Sequence, residues 1–251
     1  MEAFDTSIFF INENDMKHLL LAAAAFLVIG CAGNEKTVET NDSPLADCDI
    51  TIGDIHFTKS LNDAASLVSV SDGIVTFDAA AHTDYFISPS GTVRDNAPIL
   101  LTEVDNTKPF TFQAFMTPGF TEKGSFNAAA LYIFSDPELW QKFAFEQDMR
   151  GLHRVVTVRT IGTSDDNTHE PVRNTGSVWY RISSNNGTLM FSFSVDGQSW
   201  QLVRMYRNEY PEKLYLGISS QGPSDDTCRS TFEKVTLVYG SPRTNRPGNP
   251  G

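Results

Sequence analysis

Positive charge is scarce in this 251-residue sequence, which has 19 Lys and Arg residues against 31 Asp and Glu residues and a net charge of −12. Binding to nucleic acid requires a basic face, and anionic lipid surfaces attract polybasic segments. The composition therefore predicts neither a nucleic acid partner nor electrostatic binding to a membrane. It is compatible with a neutral or cationic ligand.

Cysteine is also scarce, with three residues, and no apolar run reaches the ~20 residues that a transmembrane helix needs. One apolar run, residues 19–29, follows Lys17 and His18 and ends before Gly30 and Cys31. That order is typical of a bacterial lipoprotein signal peptide. We predict a signal peptide over residues 16–30, lipidation of Cys31, and membrane contact through this lipid alone.

The segments beside the signal show no pattern of a folded domain. Residues 1–15 carry four acidic residues and no Lys or Arg, which favours a start codon assigned too early; a cytoplasmic extension is the alternative. After Cys31, residues up to 47 form a polar tether, and residues 241–251 form a tail rich in Pro and Gly. Ala32 lacks the acidic side chain that favours inner-membrane retention in known lipoproteins, so the predicted location is the outer membrane of the cell envelope.

Lipidation of Cys31 leaves Cys48 and Cys228 as a pair in an oxidising compartment. We predict a disulfide between them, which closes a long loop and contributes ~4 kcal/mol in the chain-entropy model. The alternative is two unpaired buried thiols. No Cys-x-x-Cys or Cys/His spacing indicates a zinc site.

Short alternating patterns dominate residues 48–240, a length that suits one domain. Turn residues separate them, including Asn186-Gly187 and Asp196-Gly197, which favour β-hairpins. This arrangement predicts an all-β sandwich. The expected strands are residues 50–57, 67–70, 74–77, 99–104, 110–117, 129–134, 140–147, 153–160, 178–183, 189–195, 201–206, 213–219 and 230–239.

The segment WQKFAFE, residues 140–146, is the most informative of these strands. A period of two places Phe143 and Phe145 on a core face and Trp140, Lys142 and Glu146 on the other. An indole, an ammonium and a carboxylate in line indicate a ligand platform, in which Trp140 stacks on a sugar and the charged groups bind hydroxyls. A cross-strand ion pair beside a packing Trp is the alternative.

Two neighbouring patterns add candidate ligand contacts. Arg154 and Val156 share one face of the strand at residues 153–160, and Tyr180 lies on the strand at residues 178–183. Which of these side chains joins Lys142 and Glu146 depends on the register, because a slip of one residue exchanges the two faces. We predict Trp140, Lys142, Glu146, Arg154 and Tyr180 as the ligand-binding residues.

Several motifs in a fixed order resemble a family of uncharacterised domains labelled "regulation of enolase". They are Asp84-Tyr85-Phe86, Trp140-x-Lys142-x-x-x-Glu146, Val155-Val156-Thr157, Ser194-x-Asp196-Gly197-x-x-Trp200, Leu216-Gly217-Ile218 and Phe232, and the resemblance covers roughly residues 80–240. It implies a concanavalin A-like jelly-roll sandwich of two antiparallel sheets, with a ligand on the concave sheet. Related modules occur as secreted or sugar-associated domains, and the family implies no agreed reaction.

Recognisable catalytic motifs are absent. The sequence has no G-x-S-x-G, H-E-x-x-H or P-loop, and Gly151 stands where an E-x-D-x-x-E motif beginning at Glu146 needs its second Glu. Glu146 is the one candidate catalytic residue. Two acidic stretches, 164–167 and 224–226, carry oxygen ligands for calcium without the spacing of a defined calcium loop, so turns are the favoured interpretation and no cofactor is predicted.

These observations lead to three hypotheses from different classes. The first is an envelope-anchored, non-catalytic sandwich that binds a carbohydrate-like ligand, such as a glycan or glycoconjugate. The second is a glycoside hydrolase or lyase that uses Glu146. The third is a structural or protein-interaction module of the cell envelope.

Overall fold

A computed structural model describes residues 44–240 of the chain. The early segment, the signal peptide, the Cys31 lipidation site, most of the tether and the tail all lie outside the described residues. Across residues 44–240, no helix has the length and apolar character needed to cross a membrane.

The described residues form seventeen strands and one short 3-10 turn at Ala64–Leu67. The strands are β1 (Ala46–Ile52), β2 (Ile55–Leu61), β3 (Val68–Ser71), β4 (Ile74–Ala79), β5 (Tyr85–Ile87), β6 (Val93–Asp95), β7 (Ile99–Asp105), β8 (Phe110–Thr117), β9 (Ala128–Asp136), β10 (Leu139–Gln147), β11 (His153–Ile161), β12 (Thr163–Pro171), β13 (Val178–Ser184), β14 (Thr188–Ser194), β15 (Gln201–Arg207), β16 (Lys213–Gln221) and β17 (Cys228–Tyr239).

Two large antiparallel sheets contain fifteen of these strands. The eight-stranded sheet has the order β1-β2-β7-β16-β9-β10-β11-β12, and the seven-stranded sheet has the order β15-β14-β13-β8-β17-β4-β3. Strands β5 and β6 form a separate two-stranded ribbon. The predicted all-β jelly-roll sandwich of two antiparallel sheets is confirmed.

The eight-stranded sheet buries apolar side chains on both of its faces. Its inner face packs against the seven-stranded sheet and carries Phe143 and Phe145, as the period-two pattern predicts. A second apolar cluster, which includes Tyr132, Trp140 and the ribbon residue Tyr85, lies on the opposite, outer face. Burial on both faces explains why β9 is a nearly continuous apolar run.

The structure moves several predicted boundaries. The first predicted strand is two strands, because Gly53 adopts a positive φ of 59° between β1 and β2, and the first of the two begins at Ala46. The stretch 164–167, for which the sequence predicts a turn, lies in the first half of edge strand β12. The ribbon strands β5 and β6 are too short for a periodic pattern to reveal.

The predicted disulfide between Cys48 and Cys228 is wrong, because both residues are free thiols. Cys48 lies in the irregular β1–β2 pairing at the edge of the eight-stranded sheet, where its thiol donates to the backbone oxygen of Phe57. Cys228 begins β17 in the other sheet, and its buried sulfur lies beside Ala128 and Ser230. The two sulfurs are therefore placed by different packing neighbours.

Candidate functional site

A cleft of about 740 Å³ opens on the outer face of the eight-stranded sheet. Strands β10, β11 and β12 contribute its floor, and the ribbon, the segment before β9 and the segment after β16 also line it. The lining residues are the acidic Asp84, Glu146, Asp148 and Asp166, the basic Arg94, Lys142, Arg150 and Arg154, the aromatic Phe86 and Phe126, and Ser125, Val156, Val158, Thr168, Gln221, Pro223 and Ser224. Three of the five predicted binding residues, Lys142, Glu146 and Arg154, therefore line the same cleft.

Lys142 lies on the cleft floor with a side chain that is 3% exposed. Its Nζ donates hydrogen bonds to Asp84 Oδ1 at 3.1 Å, to the backbone oxygen of Tyr85 at 3.0 Å and to Gln221 Oε1 at 3.0 Å. An ammonium has three N–H donors, so all of them are used within the protein. Lys142 joins β10 to the ribbon and to β16 instead of offering the free donor that the sequence predicts.

Glu146 lies four residues beyond Lys142 on the same face of β10 and pairs directly with Arg154 of β11. Its side chain is half-buried, and no group among residues 44–240 makes a hydrogen bond or ion pair with its carboxyl. Desolvation raises the pKa of Glu146 to about 8, against the opposing effect of the nearby Lys142 ammonium. At neutral pH this carboxyl is largely protonated, so it can both donate and accept a hydrogen bond.

Arg154 reaches the cleft but is held by its neighbours. Its Nε donates to Asp148 Oδ2 at 2.6 Å, and Nη1 donates to the backbone oxygen of His169 at 3.0 Å. Burial opposes ionisation of Asp148, but the hydrogen bond from Arg154 and two backbone N–H donors lower its pKa to about 2. Arg154 and Asp148 therefore form an ion pair in the lining of the cleft.

Phe126 supplies an exposed aromatic ring to the cleft that the sequence analysis missed. The ring is 39% exposed, and the residue has a φ of 67°, which is unusual for a bulky side chain. Its N–H donates to the backbone oxygen of Gln147 at 2.7 Å, and its carbonyl accepts from Gln221 Nε2 at 3.4 Å. These two hydrogen bonds stabilise the positive-φ backbone of Phe126. Their partners are distant in the sequence, so no local sequence pattern predicts the exposed position of this residue.

Trp140 does not line the cleft, so the prediction that its indole stacks on a ligand is wrong. The side chain is fully buried, and its Nε1 donates to the backbone oxygen of Pro137 at 3.1 Å. The ring of Tyr85 covers it edge-on, with 5.0 Å between ring centroids. The ribbon that carries Tyr85 converts the exposed face expected for Trp140 into a second core.

Tyr180 is also misplaced by the sequence analysis. It lies on β13 and points between the two sheets, where its ring stacks on Phe143 with 3.8 Å between centroids. Its buried hydroxyl donates to the backbone oxygen of Ala144 at 2.7 Å. Tyr180 therefore belongs to the inter-sheet core, because β13 pairs in the sheet opposite to β10.

The two acidic stretches considered for calcium hold no metal-ligand cluster. No group of three or more His, Cys, Asp or Glu side chains within residues 44–240 is arranged to hold a metal ion. Asp165 contacts Arg204, with 3.1 Å between Oδ2 and Nη2, and Asp226 accepts a hydrogen bond from the Thr121 hydroxyl at 2.6 Å. Each of these two carboxylates has a partner in the protein.

Several lining residues besides Phe126 were not predicted from the sequence, among them Arg94, Arg150 and Gln221. Arg94 enters the cleft from β6, whose three exposed residues show no periodic pattern. Gln221 enters from the end of β16, and its partner Lys142 is 79 positions away in the chain. The Asp84-Tyr85-Phe86 motif is the sequence feature that points to the ribbon. Asp84 accepts a hydrogen bond from Lys142, and Phe86 lines the cleft.

Comparisons of structure place the chain among β-sandwich proteins. A functionally unknown protein from Saccharomyces cerevisiae is 25% identical with a TM-score of 0.65, covering 72% of this chain and 95% of that one. "Xyloglucan PUL GH43B" from Bacteroides ovatus is 13% identical with a TM-score of 0.55, covering 78% of this chain and 39% of that one. A xylan β-1,4-xylosidase from Bacillus halodurans is 12% identical with a TM-score of 0.53, covering 76% and 39%.

The latter two proteins are much longer, since this chain spans about two fifths of each, and at this identity they show a shared fold alone. A search of curated proteins finds no significant match. A family model described as "Protein of unknown function (DUF1349)" matches residues 61–238, which include every residue that lines the cleft. That description gives no support to a role in enolase regulation. The chain belongs to this family of proteins of unknown function.

Proposed function

We propose that the protein binds a carbohydrate-like ligand in the cleft and carries out no chemistry on it. The observation that carries the proposal is the exposed Phe126 in a cleft that also holds polar groups without a partner among residues 44–240, above all the Glu146 carboxyl. Sugars present apolar C–H faces and hydroxyl edges, so a ring beside hydrogen-bonding groups suits them. Phe126 takes the stacking role that the sequence assigns to Trp140.

The structural neighbours agree with this proposal at a coarse level. The names of two of them include xyloglucan and xylan β-1,4-xylosidase, and both contain the same sandwich fold. Envelope anchoring through Cys31, with the outer membrane as its location, is part of the proposal. It rests on the sequence of residues 16–31 alone.

Removal of the Phe126 ring tests the proposal. We expect wild-type protein to bind at least one member of an oligosaccharide panel in calorimetry, and Phe126→Ala to weaken that binding about tenfold, equivalent to ~1.4 kcal/mol of lost stacking. Tyr239→Ala is a matched control, because Tyr239 is an aromatic residue that is 48% exposed outside the cleft. Equal binding by Phe126→Ala and the wild type would remove Phe126 from the site, and no binding to any saccharide would overturn the proposal.

A second candidate function is hydrolytic or eliminative cleavage of a glycan by Glu146. Its raised pKa, and a carboxyl without a partner in the described part of the chain, are features of a general acid, and Asp148 is two residues further along. If the wild type releases shortened saccharides and Glu146→Gln does not, the protein is an enzyme and the proposal of binding without chemistry is wrong. A binding protein without turnover is the expected result.

A further inference from the structure

We infer that the ligand of the cleft is an acidic saccharide, recognised by Arg94 and Arg150 through carboxylates on its sugar rings. The inference rests on the proposed function and names the chemical class of its ligand. The charged residues of the cleft fall into two groups, those with a partner among residues 44–240 and those without one.

The partnered charges form two internal pairs. Lys142 Nζ lies 3.1 Å from Asp84 Oδ1, and Arg154 Nε lies 2.6 Å from Asp148 Oδ2. The four side chains are 3–18% exposed, so they are largely withdrawn from water. Their charges cancel in pairs, and further hydrogen bonds join Lys142 to Tyr85 and Gln221 and join Arg154 to His169.

Two guanidinium groups remain available. Arg94 is exposed on β6 and forms no ion pair with any residue of the described part of the chain. The Arg150 side chain is 74% exposed, and its one carboxylate neighbour is Asp148 Oδ2 at 3.6 Å. That oxygen already accepts the shorter hydrogen bond from Arg154, so the N–H fork of Arg150 lacks a good internal acceptor.

Two carboxyl groups are also without partners, but they do not balance these cations. Glu146 lies on the cleft floor and is largely uncharged at neutral pH, so it presents a hydrogen-bond donor. Asp166 is exposed on edge strand β12, with no ion pair within residues 44–240. The unpartnered groups thus carry two positive charges and one negative charge, although the whole chain carries −12.

An acidic sugar matches this arrangement better than a neutral or a cationic one. A guanidinium group presents paired N–H donors that fit the two oxygens of a carboxylate. Arg94 comes from the ribbon and Arg150 from the loop after β10, so the two forks enter the cleft from different elements. A protonated Glu146 adds a donor on the floor where an ionised one would repel an anionic ligand.

Matched pairs of saccharides test the inference with the full-length protein. Hexamers of glucose, galactose and mannose are compared with the corresponding hexamers of glucuronate, galacturonate and mannuronate by calorimetry at about pH 6.5. In at least one pair we expect the uronate to bind about tenfold more tightly than its neutral partner. The preference should decrease as the salt concentration rises, because both arginines are exposed.

The arginine variants connect that preference to the cleft. Arg94→Gln and Arg150→Gln should each weaken uronate binding about tenfold and leave binding of the neutral partner within about threefold. Arg229→Gln is the control, because Arg229 is 69% exposed, belongs to β17 of the other sheet and pairs with Asp78. It should leave both affinities unchanged.

The possible results separate this inference from the proposed function. Neutral hexamers that bind as tightly as the uronates in every pair would overturn the acidic ligand and leave carbohydrate binding intact. A uronate preference that persists in both arginine variants would also overturn the inference. Failure of all six hexamers to bind would overturn the inference, whereas the proposed function is overturned only if the whole oligosaccharide panel also fails to bind.

Discussion

Glu146 couples the stability of the fold to pH at the scale of one residue. Desolvation in the cleft raises its pKa from an ordinary value of 4.5 to about 8. The unfolded chain releases this proton near the ordinary value, whereas the folded protein retains it until about pH 8. The folded state therefore binds more protons between these values, and the stability contributed by the neutral carboxyl is lost as pH rises through that window.

The variant Glu146→Gln should remove this dependence, because an amide of the same shape is neutral at every pH. Between pH 5 and pH 8.5, we expect the wild type to lose at least ~1.4 kcal/mol more unfolding free energy than the variant, the equivalent of a tenfold change in proton affinity. Urea unfolding at several pH values measures it. Glu103→Gln, which removes an exposed carboxylate on β7, should keep the wild-type dependence. Parallel curves for wild type and Glu146→Gln would contradict the prediction.

The β5–β6 ribbon forms one wall of the cleft, and contacts with the eight-stranded sheet attach it. The Tyr85 ring packs against Trp140, the Ile87 N–H donates to the Ser164 hydroxyl at 2.9 Å, and Lys142 binds the start of the ribbon. Truncation of Lys142 leaves the Asp84 carboxylate without its counter-charge and two further acceptors without their donor. Truncation of Lys142 should therefore destabilise both the ribbon and the floor of the cleft.

We expect Lys142→Met to cost ~3 kcal/mol of unfolding free energy, as for other broken buried ion pairs. Hydrogen exchange of the β5 and β6 amides should accelerate more than that of β8 in the opposite sheet. Lys59→Met provides the control, because Lys59 pairs with Asp47, whose side chain is 88% exposed, and such a pair contributes about 0–1 kcal/mol. An equal loss in both variants would show that Lys142 contributes no more than a surface pair.

The elements also show which sequence signals are dependable. Strands β8 and β10 have long alternating patterns, and the residues predicted to face the core do so. Within edge strand β12, residues 164–167 predict a turn, because Asp and Asn residues are typical of turns and the exposed side chains give no apolar alternation. Pairing with β11 on one side is what makes it a strand.

At the scale of the molecule, residues 44–240 contain two free thiols, one in each large sheet. In a Cys31→Ser chain unfolded without reductant, a thiol reagent should titrate both Cys48 and Cys228. In the folded protein the reaction should be slow, because Cys228 is buried and because desolvation and the adjacent Asp47 and Asp49 carboxylates raise the pKa of Cys48.

Cys48→Ser should change the unfolding free energy by less than about 1 kcal/mol, since loss of a native disulfide typically costs ~2–5 kcal/mol. Phe57→Ala in the adjacent strand, which truncates a fully buried ring, should cost ~3–5 kcal/mol and shows that the assay detects real losses. An unfolded chain with no titratable thiols would restore the disulfide that the sequence predicts.

The sequence by itself determined the class of fold, the hairpins and the two faces of β10, because a period of two and turn residues are local properties. It also brought Lys142, Glu146 and Arg154 together, since β10 and β11 are consecutive strands. Only the tertiary structure decided which polar groups are free, because a side chain's partners come from distant segments. The ribbon buries Trp140, the sheet pairing places Tyr180 in the core, and the loop before β9 presents Phe126 to the cleft.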